Sequence, residues 1–339
     1  MSDKKEVTID FDGYPESPII DSSIGNTYTY KDDATNEQVE IIHTENPPNL
    51  SGYEKLEHKP KDPKVKIKDI QYSTTPQTGF PPTLSQYPSV TVYCWGQDYR
   101  PLVVKLGNEN IYYISEGEGY TSNKWNSTST SFAGLSLLEI LQIKSCTHTN
   151  AHVVDISKTT KESYNCPSCN KERINVSPVK GSDYSWYGHT LQASSISGFK
   201  DDNQYQAGFK IFKDCDQANV YWYPESDGKP LLVCIKPLSG PGDEEPSKPY
   251  WYRRECKSSN KWVREENDAP TNEEDPKILE LLQKAFQTAQ NPTSQGNSEL
   301  STSISSSATN GLVAIFIVGI VPVILVGIGY AGWSFLPRL

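Results

Sequence analysis

The chain has 339 residues, 42 of them acidic and 32 basic, for a formal net charge of −10. That balance repels phosphate backbones, and no basic stripe overrules it, so nucleic acid is excluded as an expected partner. Aromatic residues make up 11 %, with 20 Tyr and 7 Trp against one Met, which suits pleated strands better than a helical bundle.

Met1–Glu6 is charged and leads directly into Val7-Thr8-Ile9-Asp10. Without an apolar stretch or a small-residue cleavage site it does not read as a signal peptide. Either the chain does not enter the secretory route by this start, or a leader precedes it. Residues 1–145 read as a first β-rich module. Strands are expected at Val39–Thr44, Val65–Tyr72, Val90–Trp95, Pro101–Leu106 and Ile111–Ser115, where β-branched and aromatic residues lie between turn signals. Pro76–Pro88 is a proline-rich loop, and the apolar spacing of Gly134–Lys144 predicts one packed helix.

Residues 146–286 read as a second module whose Val153-Val154-Asp155-Ile156 echoes the opening Val7-Thr8-Ile9-Asp10. Further strands are expected at Ile174–Val176, Phe209–Phe212, Asn219–Tyr223, Pro230–Ile235 and Pro249–Arg254. The Asp227-Gly228 dipeptide marks a hairpin, because glycine takes positive φ without a steric penalty. Asp275 followed by Pro276 predicts the start of a closing helix.

The two modules share a pattern. Val92-Tyr93-Cys94-Trp95 leads through a turn to Pro101-Leu102-Val103-Val104, and Val220-Tyr221-Trp222-Tyr223 leads likewise to Pro230-Leu231-Leu232-Val233. Each copy then reaches an aromatic cluster, a Ser-Asn-Lys-Trp (Ser122–Trp125; Ser259–Trp262) and an apolar helical run. The expected fold is therefore mainly β. It consists of a tandem duplication of sandwich-like or hairpin-rich modules with one closing helix each. Trp95, Trp125, Trp222 and Trp262 are the expected anchors, in the core or at an interface.

Residues 287–310 are rich in Ser, Thr, Asn and Gln and read as a flexible stalk. Residues 311–337 are uncharged and mostly apolar, long enough for a transmembrane helix. Gly311 opens this span. Pro322 is tolerable within it, and Trp333 sits where an interfacial aromatic would.

Chemistry is sparse. Cys166-Pro167-Ser168-Cys169 is a C-x-x-C, and Cys146, His148 and His152 precede it, so these five residues are the candidate metal ligands. No bound metal is expected, on three features: Cys146 and His148 are only two apart, no second C-x-x-C lies at finger spacing, and His152 opens a strand-like run that would aim it elsewhere. A structural disulfide or plain thiols in a turn is the competing reading, and seven cysteines leave at least one unpaired in an oxidised monomer. The sequons at Asn49, Asn126 and Asn175 matter only in a secretory lumen. No G-x-S-x-G, P-loop or H-E-x-x-H occurs, so no enzyme activity and no cofactor are expected.

The opening Val7-Thr8-Ile9-Asp10, the Tyr53…His58-Lys59 element, the Val-Tyr-Cys-Trp…Pro-Leu-Val-Val hairpin, the Asn-Lys-Trp turn and the apolar C-terminal stretch together resemble something known. The pattern is similar to an expanded family of hypothetical, membrane-anchored proteins of the piroplasm parasite Theileria equi. The resemblance implies a surface or host-facing role and carries no activity onto any residue. The expectation is a non-enzymatic, single-pass membrane protein that presents two β modules to a protein partner, which the resemblance implies is host-derived. One alternative is a tail-anchored adaptor with both modules in the cytosol. Another is a lipid-anchored surface antigen, with Ser305-Ser306-Ser307-Ala308 before the apolar tail.

Overall fold

Apolar residues alternate with polar ones along Gln38–Glu45 and Tyr53–Pro60, burying every second side chain as period-2 strands do. The computed structural model describes residues 5–287 apart from 97–98, 118–121, 129–131, 133, 182, 193–194, 226–227 and 239–247. Its first strands are β1 (Glu6–Asp10), β2 (Ser22–Ile24), β3 (Thr27–Lys31), β4 (Gln38–Glu45) and β5 (Tyr53–Pro60). Next come β6 (Lys66–Tyr72), β7 (Thr75–Pro76), β8 (Val90–Trp95), β9 (Pro101–Leu106), β10 (Tyr112–Ser115) and β11 (Trp125–Ser127). Eight of these form a sheet in the order β11-β10-β9-β8-β5-β4-β3-β2. The other three, β1, β6 and β7, make a small sheet in which β1 and β6 run parallel.

Helix α1 (Leu137–His148) follows. It starts on a Ser136–Glu139 capping box and runs one turn past the expected Lys144.

The second half contains β12 (Ala151–Asp155), β13 (Tyr164–Asn165), β14 (Arg173–Lys180), β15 (Ser185–Leu191) and β16 (Ser195–Asp201). It continues with β17 (Gln204–Gln206), β18 (Phe212–Lys213), β19 (Cys215–Tyr223), β20 (Lys229–Pro237), β21 (Tyr250–Arg254) and β22 (Trp262–Glu265). Helix α2 (Lys277–Gln287) closes it, with the Asp275 carboxylate accepting from the Lys277 amide. The large sheet runs β13-β14-β15-β19-β20-β21-β22. The small one runs β12-β16-β17, with β18 also on β16. Again the first strand of the half, β12, pairs parallel with the later β16. The protein is mainly β.

Two expectations are corrected. Of Phe209–Phe212 only Phe212 is in a strand, because Phe209 and Ile211 pack into cores from irregular backbone. The echo of the opening strand is also displaced by one residue: Asp155, not Ile156, stands where Asp10 does. The Asp10 carboxylate accepts from the amides of Asp12 and Ser73, and the Asp155 carboxylate from those of Ser157 and Asp202. A one-residue slip would turn the apolar set of a strand to the wrong face, so burial fixes the register. Ser226 and Asp227 of the expected hairpin turn, the stalk beyond Gln287 and the span with Gly311, Pro322 and Trp333 lie outside the described residues. Among the described residues no helix is long and apolar enough to cross a membrane.

The central strands of the large sheets are covered on both faces. On one face of the first, Val7, Ile9 and Ile67 of the small sheet meet Val39, Leu56, Val92 and Val104. On the other, Ile140 and Leu141 of α1 pack on Tyr53, Trp95, Leu102 and Val103, together with Ala151 and Ile211 of the second half. The second large sheet holds Phe199 and Phe212 on one face and Ile278, Leu281 and Leu282 of α2 on the other. Hence β8 is buried at all six positions, as a strand between two dry layers must be.

Each half is pinned by a tryptophan. The Trp125 ring N–H donates to Gln77 Oε1 and the Trp262 ring N–H to Gln206 Oε1, both at 2.9 Å. A glycine passes under each. A Cβ on Gly79 (φ +94°) would lie 1.8 Å from the Trp125 carbonyl oxygen, and one on Gly208 (φ +95°) 2.1 Å from that of Trp262. Gly208→Ala is therefore expected to cost about 2–4 kcal/mol, from left-handed strain plus a backbone collision. Gly25→Ala, with a left-handed φ of +58° but open space around it, should cost about 1 kcal/mol. Chemical denaturation of the two variants measures the difference.

His58 on β5 is fully buried against the edges of Phe11 and Tyr30. Burial pushes its pKa down to about 3. The folded state thus holds a neutral ring, while the unfolded chain takes up a proton as pH falls below its ordinary value of about 6.5. The stabilisation is complete above that value and lost progressively towards the folded pKa. Between pH 7 and pH 5 the wild type should lose about 2 kcal/mol through this group, and His58→Leu should lose that much less over the same range, read from denaturation at each pH.

Candidate metal centre

Helix α1 ends where a metal site can be assembled. Cys146 lies in its last turn, Asn150 reverses the chain in the left-handed region (φ 51°), and His152 returns on β12. Opposite them β13 and β14 form a hairpin whose loop carries Cys166 and Cys169. The Cys166 amide donates to the Glu172 carbonyl at 2.7 Å, and the Asn170 amide (φ 56°) donates to the Cys166 carbonyl at 2.8 Å. This tight turn aims both thiols at the helix end.

The ligand atoms of Cys146, His152, Cys166 and Cys169 all lie within 4.8 Å of one another. Cys146 Sγ is 3.7 Å from Cys166 Sγ, and Cys169 Sγ is 3.4 Å from His152 Nδ1. A tetrahedral zinc with Zn–S of about 2.3 Å and Zn–N of about 2.0–2.1 Å sets its ligand atoms about 3.5–3.8 Å apart. The Cys146–Cys166 and Cys169–His152 pairs are already close to that spacing. A disulfide would need sulfurs about 2.05 Å apart, and all seven cysteines are free thiols.

The surroundings orient the ligands. His152 Nε2 is 3.0 Å from Asn150 Oδ1, so its N–H belongs on that side and the Nδ1 lone pair faces the thiols. The Val153 amide donates to Cys166 Sγ at 3.4 Å. Cys146, His152 and Cys166 are buried and Cys169 is half-buried.

Protons are unevenly held in this dry corner. Hydrogen bonds with Cys166 and Cys169, then burial, push the Cys146 thiol far up. Contacts from Cys146 and Cys166, helped by His152 and the Glu172 amide, hold Cys169 well below the usual thiol range. Burial opposes charge on His152, but the Cys166 and Cys169 sulfurs outweigh it and raise the ring to about 9. A divalent cation would replace these shared protons and satisfy the sulfurs together. Three thiolates and an imidazole suit zinc, and four protein ligands leave no open position for substrate. Elsewhere burial is the main cause that pushes Cys215 and Cys234 up, to about 11 and about 12, against the pull of Lys210 and Lys236.

Of the five candidate ligands the structure brings together Cys146, His152, Cys166 and Cys169. His152 turns inward, correcting the expectation that its strand would aim it elsewhere. His148 stands apart, with its carbonyl accepting from Arg100 and its side chain lining another cavity. The ligand order C-x5-H-x13-C-x2-C was hard to recognise because its first pair straddles a helix end. The readable signals were Asn150 and Asn170, both tolerant of left-handed backbone. Among the anchor tryptophans, Trp95, Trp125 and Trp262 are buried and Trp222 is half-buried against the second core.

No protein-family model, curated protein or solved structure matches the chain.

Elemental analysis of the purified full chain should find a single zinc ion per molecule. Cys166→Ser and His152→Ala should lose it and melt several degrees lower, while His148→Ala and Cys256→Ser should retain it. Metal release should increase on acidification, because protons compete for the thiolates.

Proposed function

We propose that the chain is a non-enzymatic interaction protein in which a structural zinc ion clasps two β modules into one presenting body. The observation that carries this reading is the closed Cys3His cluster. Cys146 comes from the helix that covers the first large sheet, whereas His152, Cys166 and Cys169 belong to the second half. A metal held by both ties the halves across their shared apolar contact, where Ala151 and Ile211 of the second half pack on Tyr53, Trp95 and the helix of the first. A site closed by four protein ligands suits a staple and leaves no position for a reacting group.

The modules are read as a tandem duplication. Support comes from the same strand order, the same parallel pair, and the same Trp–Gln–Gly arrangement in each half. In this reading a polar stalk and a single transmembrane helix over 311–337 hold the modules at a membrane, as in the parasite family that the sequence resembles. The surface-exposed orientation is the first proposal. The cytosol-facing adaptor is favoured by one observation: all seven cysteines are free, and thiolate metal sites are typical of reducing compartments.

Limited proteolysis tests the clasp. The zinc-loaded chain should resist cleavage between α1 and β14, and a chelator should open that segment to protease before the large sheets unfold. Equal resistance with and without chelator would remove the metal from the proposal. Protease treatment of intact cells and of sealed microsomes, followed with an antibody to Val220–Trp262, decides orientation. Digestion on intact cells supports the surface reading. Digestion only outside sealed microsomes supports the adaptor.

A further inference from the structure

The place of the candidate metal centre is taken in the first half by residues without a thiol or an imidazole. The β1–β6 register shifts between Val7 and Thr8, and the β12–β16 register between His152 and Val153. Val7 therefore stands where His152 does. The turn after β3 likewise matches the turn after β13. The Asn36 amide (φ 58°) donates to the Asp32 carbonyl at 2.8 Å, as the Asn170 amide (φ 56°) does to the Cys166 carbonyl. The Thr8 amide donates to the Asp32 carboxylate, and the Val153 amide to Cys166 Sγ. Asp32 thus stands where Cys166 does, and Thr35 where Cys169 does.

The first half therefore builds the same turn with neither thiol nor metal. Its Asp32 carboxylate caps the turn, accepting from the amides of Ala34 and Thr35 at 2.8 and 2.9 Å. What the second half adds is a set of side chains that reach across the junction. The backbone bonds of its turn do not involve the sulfurs, so Cys166 stays aimed at the helix end when metal leaves. Its Sγ lies 3.7 Å from that of Cys146, 20 positions away on the helix of the first half. Cys169 faces a different partner, His152 Nδ1 at 3.4 Å. Cys146 and Cys166 are 7 % and 0 % exposed, and Cys169 is the least buried of the three thiols.

We propose that Cys146 and Cys166 close a disulfide across the junction when the metal is absent and a small-molecule disulfide is present. The clasp then has two interchangeable forms, a zinc ion where thiols stay reduced and a cystine where they do not. This two-form clasp rests on the reading proposed above, and it works whichever side of a membrane the modules face. The net reaction converts two thiols and one external R–S–S–R into the Cys146–Cys166 bond and two R–SH. Cys169, the most accessible sulfur, attacks R–S–S–R first and releases one R–SH. Cys166 then attacks Cys169 Sγ and releases the second. Cys146 finally attacks Cys166 Sγ, breaking the Cys166–Cys169 bond and returning Cys169 as a thiol. At each step the attacking thiol loses a proton and the leaving sulfur gains one.

The test uses the full chain, stripped of metal with EDTA, exposed to oxidised glutathione, alkylated and mapped as unreduced peptides by mass spectrometry. The expected product is a Cys146–Cys166 cystine, with Cys169 free or carrying glutathione. Bound zinc should slow its formation about tenfold or more, because the metal engages all three sulfurs. The cross-linked chain should melt several degrees above the reduced metal-free chain and should no longer bind zinc. Cys169→Ser should form the same cystine about tenfold more slowly. A Cys166–Cys169 cystine as the end product, no cystine within the chain, or an unchanged rate in Cys169→Ser would overturn the proposal. The two readings fail separately. A chain that binds no zinc yet forms the Cys146–Cys166 cystine supports the covalent clasp and removes the metal. A zinc-binding chain that forms another cystine, or none, overturns the covalent clasp and leaves the metal reading standing.

Discussion

The constraint on which the rest of the structure depends is that the central strands of each large sheet are buried on both faces. A strand such as Val90–Trp95 must then place apolar or paired groups at every position, and it can do so only if something covers each side. The small sheet with its parallel strand pair covers one face, and a single helix covers the other. Loops in between are free to vary, which accounts for the extra strand β2 at the edge of the first large sheet and the extra β18 on the second small sheet.

The covering helix of the first half also sets where chemistry can occur. Because α1 must reach across the sheet to bury Ile140 and Leu141, its last turn emerges beside the second half. Cys146 is delivered there, next to a strand that starts at Ala151 and a hairpin loop of β13 and β14. The candidate metal centre is thus a consequence of packing at the junction, with no counterpart needed in the first half. The buried histidines follow a different logic. His58 and His189 are neutral because they sit under the aromatic rings of Tyr30 and Tyr164, where an imidazolium would lose its hydration.

The comparison of the two halves also separates what a scaffold requires from what it permits. Trp125 and Trp262, their glutamine partners and the glycines beneath them occupy matching places because the backbone passes too closely for anything larger. Asp32 and Cys166 occupy matching places with different consequences, since one caps its own turn and the other offers a sulfur to the junction.

Much of the architecture could be read from local pattern. Strand positions at Val90–Trp95 and Pro101–Leu106, the helix signals at Ser136 and Asp275, and the similarity of the two halves follow from periodicity, capping and turn chemistry, which act over a few residues. The mainly β class followed from the same signals. The parallel pairing of β1 with β6, the true register of Asp155 against Asp10 and the irregular path through Phe209 were not legible, because long-range burial decides them. The same holds for the site. The sequence by itself determined which residues could bind a metal. Only the tertiary structure decided that His152 joins the three cysteines and His148 does not, because a turn at Asn150 and a hairpin twenty residues away converge on one helix end.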